Sequence, residues 1–291
     1  MPVAARPAPD RTVDAGDVRI ALLERGEGPL VVVLHGFPDS AWSMLPLLET
    51  LAAAGFRAVA PAMRGYAPSS LPPGRRTTPV DLARDVLAIA DALGEEEVLV
   101  VGHDWGAATA QTVATLAPHR VRRIVMAGLP HVHTVLLRPA LRQLWRSRYM
   151  LQFQVPVLPE RVLARDGMRW IDDLVRRWSP GWDPTAAQLA TIRAGLEGPG
   201  HLSAALGYYR GIPLAITDGA ARRTVLGEVP VPALLIRGGA DHCMSPDRFD
   251  DLGDRFAAGA RLATIDGAGH HMHVEAPDAF ADHVLAHLTR A

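Results

Sequence analysis

The stretch Leu99-Val100-Val101-Gly102-His103-Asp104-Trp105-Gly106-Ala107 constrains this chain more than any other. An apolar run rich in valine ends in Gly-x-Asp-x-Gly, and a helix of small residues, Ala107 to Leu116, begins at once. The spacing predicts a sharp strand-to-helix turn that exposes its central side chain at the carboxyl end of a buried strand, with flanking glycines letting helix and strand pack closely. That is the layout of a nucleophile elbow, with aspartate at its centre in place of serine. The exchange matters chemically. A serine hydroxyl needs a base to remove its proton, whereas a carboxylate of reference pKa about 3.9 is anionic at neutral pH and can attack saturated carbon directly. Taken alone, the same residues also fit an aspartate capping the helix that follows, so the rest of the chain has to decide.

Val18 to Glu24, after Asp14-Ala15-Gly16, reads as part of an opening antiparallel hairpin. Leu30 to Leu34 is apolar without alternation, which predicts a strand buried on both faces inside a parallel sheet. A helical pattern from Trp42 to Ala54, a strand from Arg57 to Ala60, a helix started by Pro79 and running to Leu93, the strand Val98 to Val101 and a further strand Arg123 to Ala127 continue the alternation. Strands alternating with helices in this way predict a doubly wound, mostly parallel α/β sheet, whose ligands bind beyond the carboxyl ends of the strands. From about His133 to Leu226 the strand signal gives way to arginine-rich helical patterns punctuated by proline, and the sheet resumes at Ala233 to Ile236. The organisation expected is therefore a core of residues 1–132 and 227–291 with an α-helical cap of 133–226 inserted over the site.

Composition narrows the function classes. With 291 residues the chain can bury a sizeable core, and its formal net charge of -1 gives no reason to expect nucleic acid as a partner. All thirty basic residues are arginine, which reads as the codon bias of a GC-rich genome. Between Arg138 and Arg177 nine arginines face four acids; a membrane-surface role is conceivable there, with solvated helix faces the plainer account. Cys243 is the lone cysteine, which excludes an internal disulfide and suits a reducing compartment. Met1 to Asp10 has no signal-peptide pattern and no apolar run approaches the length of a membrane span, so the expected location is cytoplasmic, with no membrane partner.

Three further stretches fall where a nucleophilic site needs them. His35-Gly36-Phe37-Pro38 follows a central strand and can set the Phe37 N–H opposite that of Trp105 as a two-donor oxyanion hole. Gly238-Gly239-Ala240-Asp241 offers a carboxylate at the same sheet edge, and Gly267-Ala268-Gly269-His270 follows the strand Arg261 to Ile265. Individually these also fit ordinary turns. The order nucleophile, acid, histidine is that of an α/β-hydrolase triad. His270, His271 and His273 with Glu275, or His131 with His133, resemble metal-ligand sets, but the first is accounted for by the triad and the second lacks sequence partners, so no metal is expected. Cys243 reads as a small buried thiol with no basic partner placed to activate it.

Together His35-Gly36-Phe37-Pro38, Arg64-Gly65-Tyr66, Gly102-His103-Asp104-Trp105-Gly106 and Gly269-His270…Glu275-Ala276-Pro277 resemble the α/β-hydrolases with an aspartate nucleophile. The chain is most similar to epoxide hydrolases and next to haloalkane dehalogenases, over nearly its whole length except the cap. The resemblance implies Asp104 as nucleophile, Asp241 as acid and His270 as base; Gly128-Leu129-Pro130 holds no carboxylate for the acid position that some dehalogenases use. Gly207-Tyr208-Tyr209-Arg210 resembles the segment that carries a ring-opening tyrosine, which falls on Tyr209. The second cap tyrosine of that family falls on Gln152, with Tyr149 or His133 as stand-ins, and Tyr149, Gln152, His35 and Pro38 are the candidate substrate-binding residues.

Trp105 with a cap tryptophan among Trp145, Trp170, Trp178 and Trp182 keeps a dehalogenase in view, while Phe37 stands where many of those enzymes place a halide donor. A haloacid substrate is disfavoured, because Trp105 and Ala108 stand where fluoroacetate dehalogenases place arginines. The expected activity is an epoxide hydrolase acting on a small-molecule epoxide and water through an ester on Asp104, without cofactor and with a homodimer left open. The alternatives are a haloalkane dehalogenase with the same triad, or a ligand-binding fold with an idle one.

Overall fold

The computed structural model describes residues 6–74, 76–138, 140–250 and 252–290; the first five residues of the Met1 to Asp10 stretch lie outside them. Eight strands form one sheet: β1 (Arg11–Ala15), β2 (Val18–Arg25), β3 (Leu30–Leu34), β4 (Arg57–Pro61), β5 (Val98–His103), β6 (Val121–Ala127), β7 (Ala233–Gly238) and β8 (Ala260–Ile265). Their spatial order is β1-β2-β4-β3-β5-β6-β7-β8. The opening hairpin and the β2–β4 pair are antiparallel, and every later pair is parallel. The expected doubly wound, mostly parallel α/β sheet is the one observed.

The lack of alternation in β3 and β5 has the anticipated cause. Val32, Leu34 and Val100 pack on one face of the sheet with helices Pro79–Ala92 and Trp105–Leu116, while Val31, Val33, Leu99 and Val101 pack on the other with Leu45–Ala53 and Pro277–Leu288. Both faces are covered, so both sets of alternate side chains are apolar. The helix expected from Trp42 begins instead as a 3-10 turn, Ala41–Met44, and becomes α-helical only at Leu45, where Pro46 fits a first turn that lacks hydrogen-bond partners anyway.

Strands β6 and β7 are hydrogen-bonded neighbours, from Ile124 opposite Ala233 to Ala127 opposite Ile236. Among the described residues the chain from helix Val132–Leu137 to helix Gly219–Leu226 is helical or irregular; it leaves the sheet at the carboxyl end of β6 and rejoins it at the amino end of the parallel β7. The longest of its helices, His201–Thr217, is pressed against the core at Gly211, where a Cβ would come within 2.0 Å of the Thr77 carbonyl oxygen. A second attachment lies at Trp178, whose single carbonyl oxygen accepts the N–H of His242 at 3.1 Å and that of His270 at 3.2 Å. Glycine is required at Gly269 for this approach, because a Cβ there would meet Ser179 Cα at 2.4 Å.

Candidate active site

The turn after β5 shows why its sequence is Gly-x-Asp-x-Gly. Asp104 sits at φ +53°, ψ −112°, a backbone conformation that costs a non-glycine residue energy and is found where function holds it in place. Its neighbours admit no Cβ: at Gly102 one would lie 2.0 Å from the Gly106 carbonyl oxygen, and at Gly106 2.2 Å from that of Leu34. The Asp104 N–H donates to Ala127 of the adjacent strand, and its carbonyl accepts from Ala107 and Ala108 to start the helix. The side chain is thereby turned out over the carboxyl edge of the sheet.

The carboxylate meets groups from two other strand ends. Phe37 N–H, in the loop after β3, donates to Asp104 Oδ1 at 2.9 Å. Gly36 makes the approach feasible, since a Cβ there would lie 2.5 Å from that of Asp104. His270, in the loop after β8, holds Nε2 3.7 Å from Asp104 Oδ2, and this nitrogen has no hydrogen-bond partner among the described residues. Its Nδ1 lies 2.9 Å from Asp241 Oδ2. Asp241 is fixed in turn by the loop after β7, its Oδ1 accepting the N–H groups of Cys243 at 2.6 Å and Met244 at 2.9 Å. Burial disfavours a charge on His270, but Cys243, Asp241 and Asp104 outweigh it and hold the imidazole well above its usual 6.5.

Above Asp104 lies a cavity of about 70 Å³. Its wall is apolar, with Leu129, Val132, Val135, Leu136, Met150, Ile212 and Val225 among its residues, and its polar groups are few: Asp104, Gln143, Ser147, Tyr149, Tyr209 and Cys243. Tyr209 on helix His201–Thr217 packs edge-on to Trp105 and Phe37, with ring centroids 5.1 and 5.6 Å away, and its buried hydroxyl lacks a hydrogen-bond partner among the described residues. Tyr208, one position back, faces the other way and donates to the Arg64 carbonyl at 2.8 Å. Tyr149 stands 5.8 Å from Tyr209 by ring centroids, with its hydroxyl 3.8 Å from Cys243 Sγ. Burial first, then the neighbouring anionic groups, pushes both cavity tyrosines well above 10, so each keeps its proton.

Several expected site residues lie elsewhere. Gln152 ends the short helix Arg148–Gln152 on its exposed side and lines an outer groove with Trp145 and Arg177, away from Asp104. His133 sits against Arg255 at 3.3 Å, outside the cavity. His35 is buried below the loop, its Nε2 accepting the Met63 N–H at 3.1 Å, and neither it nor Pro38 lines the cavity. The reading of Cys243 as a thiol without a basic partner also changes: it lines the cavity and its sulfur is near enough to influence His270, which opposes the burial that pushes the thiol's own pKa up. The nearness of Asp241 in sequence was the one available signal. Of the tryptophans, Trp105 alone lines the cavity; Trp178 packs on His270 with centroids 5.1 Å apart, outside it.

Behind His270 lies a buried polar layer. Asp39, His103 and His273 offer ligand atoms within 4.8 Å of one another, the one such group among the described residues. One nitrogen of each ring is engaged: His273 Nε2 meets Asp39 Oδ2 at 2.8 Å, and His103 Nε2 donates to the His270 carbonyl at 2.8 Å. The donor set resembles a metal centre in residue type, while its bonding is that of a scaffold under the histidine loop. Burial, reinforced by the neighbouring rings, keeps His103 well below 6.5 and takes His271 to about 3, so both are neutral.

Strand ends, elbow and histidine loop define a class, and the chain belongs to the α/β-hydrolase-fold family, whose description matches residues 29–277. More particularly, it is 30% identical to epoxide hydrolase A of Mycobacterium tuberculosis, across 96% of this chain and 97% of that one. It is 28% identical to an AB hydrolase superfamily protein, YfhM, of Bacillus subtilis, across 93% and 94%. The crystal structure of an epoxide hydrolase from Vigna radiata superposes with a TM-score of 0.82 at 26% identity, covering 96% of this chain and 97% of that one.

Proposed function

We propose that this chain is an epoxide hydrolase, with 133–226 as a cap domain on a core of 1–132 and 227–291. The observation that carries the reading is the meeting, in one apolar cavity, of the Asp104 side chain and two protonated tyrosines, one with a hydroxyl that has no partner among the described residues. A carboxylate alone can displace a halide; ring opening leaves an alkoxide, which needs a proton or a strong donor. The same cavity offers Trp105 as its one tryptophan, a poorer match to halide than the tyrosine pair is to oxygen.

In this mechanism Asp104 Oδ2 attacks a ring carbon, the C–O bond breaks, and Tyr209 gives its proton to the leaving oxygen while Tyr149 donates a hydrogen bond. Tyr149 thus fills the part first assigned to Gln152. The product is an ester on Asp104. Ester formation removes the Asp104 carboxylate, one of the neighbours that hold His270 protonated, so the histidine gives its proton through solvent to the Tyr209 phenolate and becomes a base at the moment a base is required. Water gives a proton to His270 Nε2 and attacks the ester carbonyl, with the resulting imidazolium supported by Asp241. The Phe37 N–H, already on Asp104 Oδ1, and the Trp105 N–H receive the oxyanion. Collapse expels the alkoxide, which takes the proton that the attacking water left on the Asp104 carboxyl to give the vicinal diol, and His270 keeps the proton taken from water, which restores the starting state. The test is a panel of epoxides and haloalkanes scored for diol and for halide, with intact mass of His270→Gln. Diol release with an adduct on the Asp104 peptide supports the reading; halide release alone replaces it by the dehalogenase, and neither product by a ligand-binding role.

A further inference from the structure

The described residues include eleven large apolar side chains that are exposed, and nine of these fall between Leu137 and Val162. Leu141, Leu144 and Trp145 are the clearest, at 88, 56 and 69% exposed; their i, i+3, i+4 spacing puts them on one face of helix Leu141–Arg146, and that face looks into solvent. Leu151, a few residues on, is 75% exposed. An apolar patch gathered into one segment marks an interaction surface, whereas scattered exposed leucines do not.

The charge around the patch is one-sided. Arg142, Arg148, Arg161, Arg165 and Arg169 are exposed, and the Arg148 guanidinium stacks over the Trp145 ring at 4.3 Å. Of the four acids of this stretch, Glu160 is paired with Arg210 at 2.7 Å and Asp172 is held by Arg193, which leaves Asp166 and Asp173 exposed against the five arginines. A second copy is a poor occupant, because a two-fold contact sets each patch on its own image and brings arginines against arginines. We propose that this face docks on an anionic lipid surface, its leucines and tryptophan entering the interface and its arginines meeting the headgroups. No helix among the described residues is long and apolar enough to cross a membrane, so the contact is peripheral. The same segment lines the cavity with its opposite side, through Leu136, Gln143, Ser147 and Met150, so the surface that meets lipid is one wall away from an apolar pocket.

The test is co-sedimentation of the full chain with vesicles of phosphatidylcholine, or of phosphatidylcholine with a third phosphatidylglycerol, alongside sedimentation velocity without lipid. Binding is expected to the anionic vesicles only, to fall steeply as salt rises from about 0.1 to 1 M and the screening length shrinks from about 10 to 3 Å, and to drop about tenfold or more in Leu141→Ser/Trp145→Ser. Trp145→Phe should abolish any blue shift of tryptophan emission on binding. These side chains are exposed and outside the catalytic set, so unchanged unfolding midpoints and unchanged turnover of a water-soluble substrate are expected of both variants. Equal binding to neutral vesicles, or no binding at all, overturns the proposal. A dimer that the double variant dissociates reassigns the face to self-association. None of these readouts depends on the epoxide reading.

Discussion

Replacing Asp241 by Asn separates the two half-reactions. Asp241 Oδ1 accepts two main-chain N–H groups, from Cys243 and Met244, and Oδ2 faces His270 Nδ1. In the variant only the amide oxygen can keep the two loop bonds, so the NH2 group is left facing Nδ1. The imidazole must then carry its proton on Nε2, towards Asp104, where it cannot take one from water. Reversing that choice strands buried hydrogen-bonding groups at about 1–2 kcal/mol, and the missing counter-charge for a buried imidazolium costs about 3 kcal/mol more. The sum, about 4–5 kcal/mol, corresponds to about 10³–10⁴ in rate, in line with the ~10⁴ lost on the equivalent change in Ser-His-Asp enzymes. Attack by Asp104 touches none of these groups, so alkylation should stay within a few-fold of the parent while the ester accumulates. Rapid quench of a single turnover, followed by intact mass and peptide mapping, measures both steps. Steady-state turnover within tenfold of the parent, with no adduct on the Asp104 peptide, would refute the role given to Asp241.

Three other outcomes are expected. Tyr209→Phe should slow alkylation by about 10²–10⁴ and leave hydrolysis of a formed ester untouched, Tyr149→Phe should slow it less, and Gln152→Ala should match the parent in pre-steady-state assays; a crippled Gln152→Ala would restore that residue to the site. Gly36→Ala should displace the nucleophile, because the new Cβ lies 2.6 Å from Asp104 Oδ1, and a loss of ester formation exceeding about 100-fold is expected, read by adduct mass. Acid should destabilise the fold: His271 is protonated near 6.5 when unfolded but only at about 3 when buried, so the stability tied to its neutral form is complete above 6.5 and is lost as pH falls towards 3, by several kcal/mol at the limit. Urea unfolding between pH 7 and 4 measures this, and His271→Gln should flatten the slope.

The elbow and the sheet were readable because their causes are local. A strand buried on both faces must be apolar throughout, and a turn with no room for Cβ must be glycine, so β5 and Gly-x-Asp-x-Gly declare themselves. The cavity wall was less legible. Gln152 and Tyr149 sit in a helix of five residues, whose rotation is set by packing of Phe153 and Tyr149 against Tyr209 and not by sequence phase. His35 and Pro38 were placed with the site because they flank Phe37, yet only the main chain of that loop faces Asp104. The partners of Cys243 come from Tyr149 and His270, far away in sequence. The exposed leucines of 137–162 could not be foreseen, since periodicity finds an apolar face but not what covers it.

The two bonds to the Trp178 carbonyl restrict how the cavity can be reached. One oxygen ties the helical segment to both the loop that carries Asp241 and the main chain of His270 itself. Swinging the whole segment away would therefore loosen the base and its partner together, and each catalytic cycle would have to rebuild them. The neighbouring helices hold the same loop, Gln143 donating to the Cys243 carbonyl at 3.0 Å and Arg146 to that of Asp241 at 2.8 Å, and Tyr149 packs 5.2 Å from the Trp178 ring, so the cavity wall and the acid loop move as one. The helical segment is accordingly an abutment for the histidine and its acid along the whole of its cavity side, and a reactant must enter by local yielding of side chains while these bonds stay made.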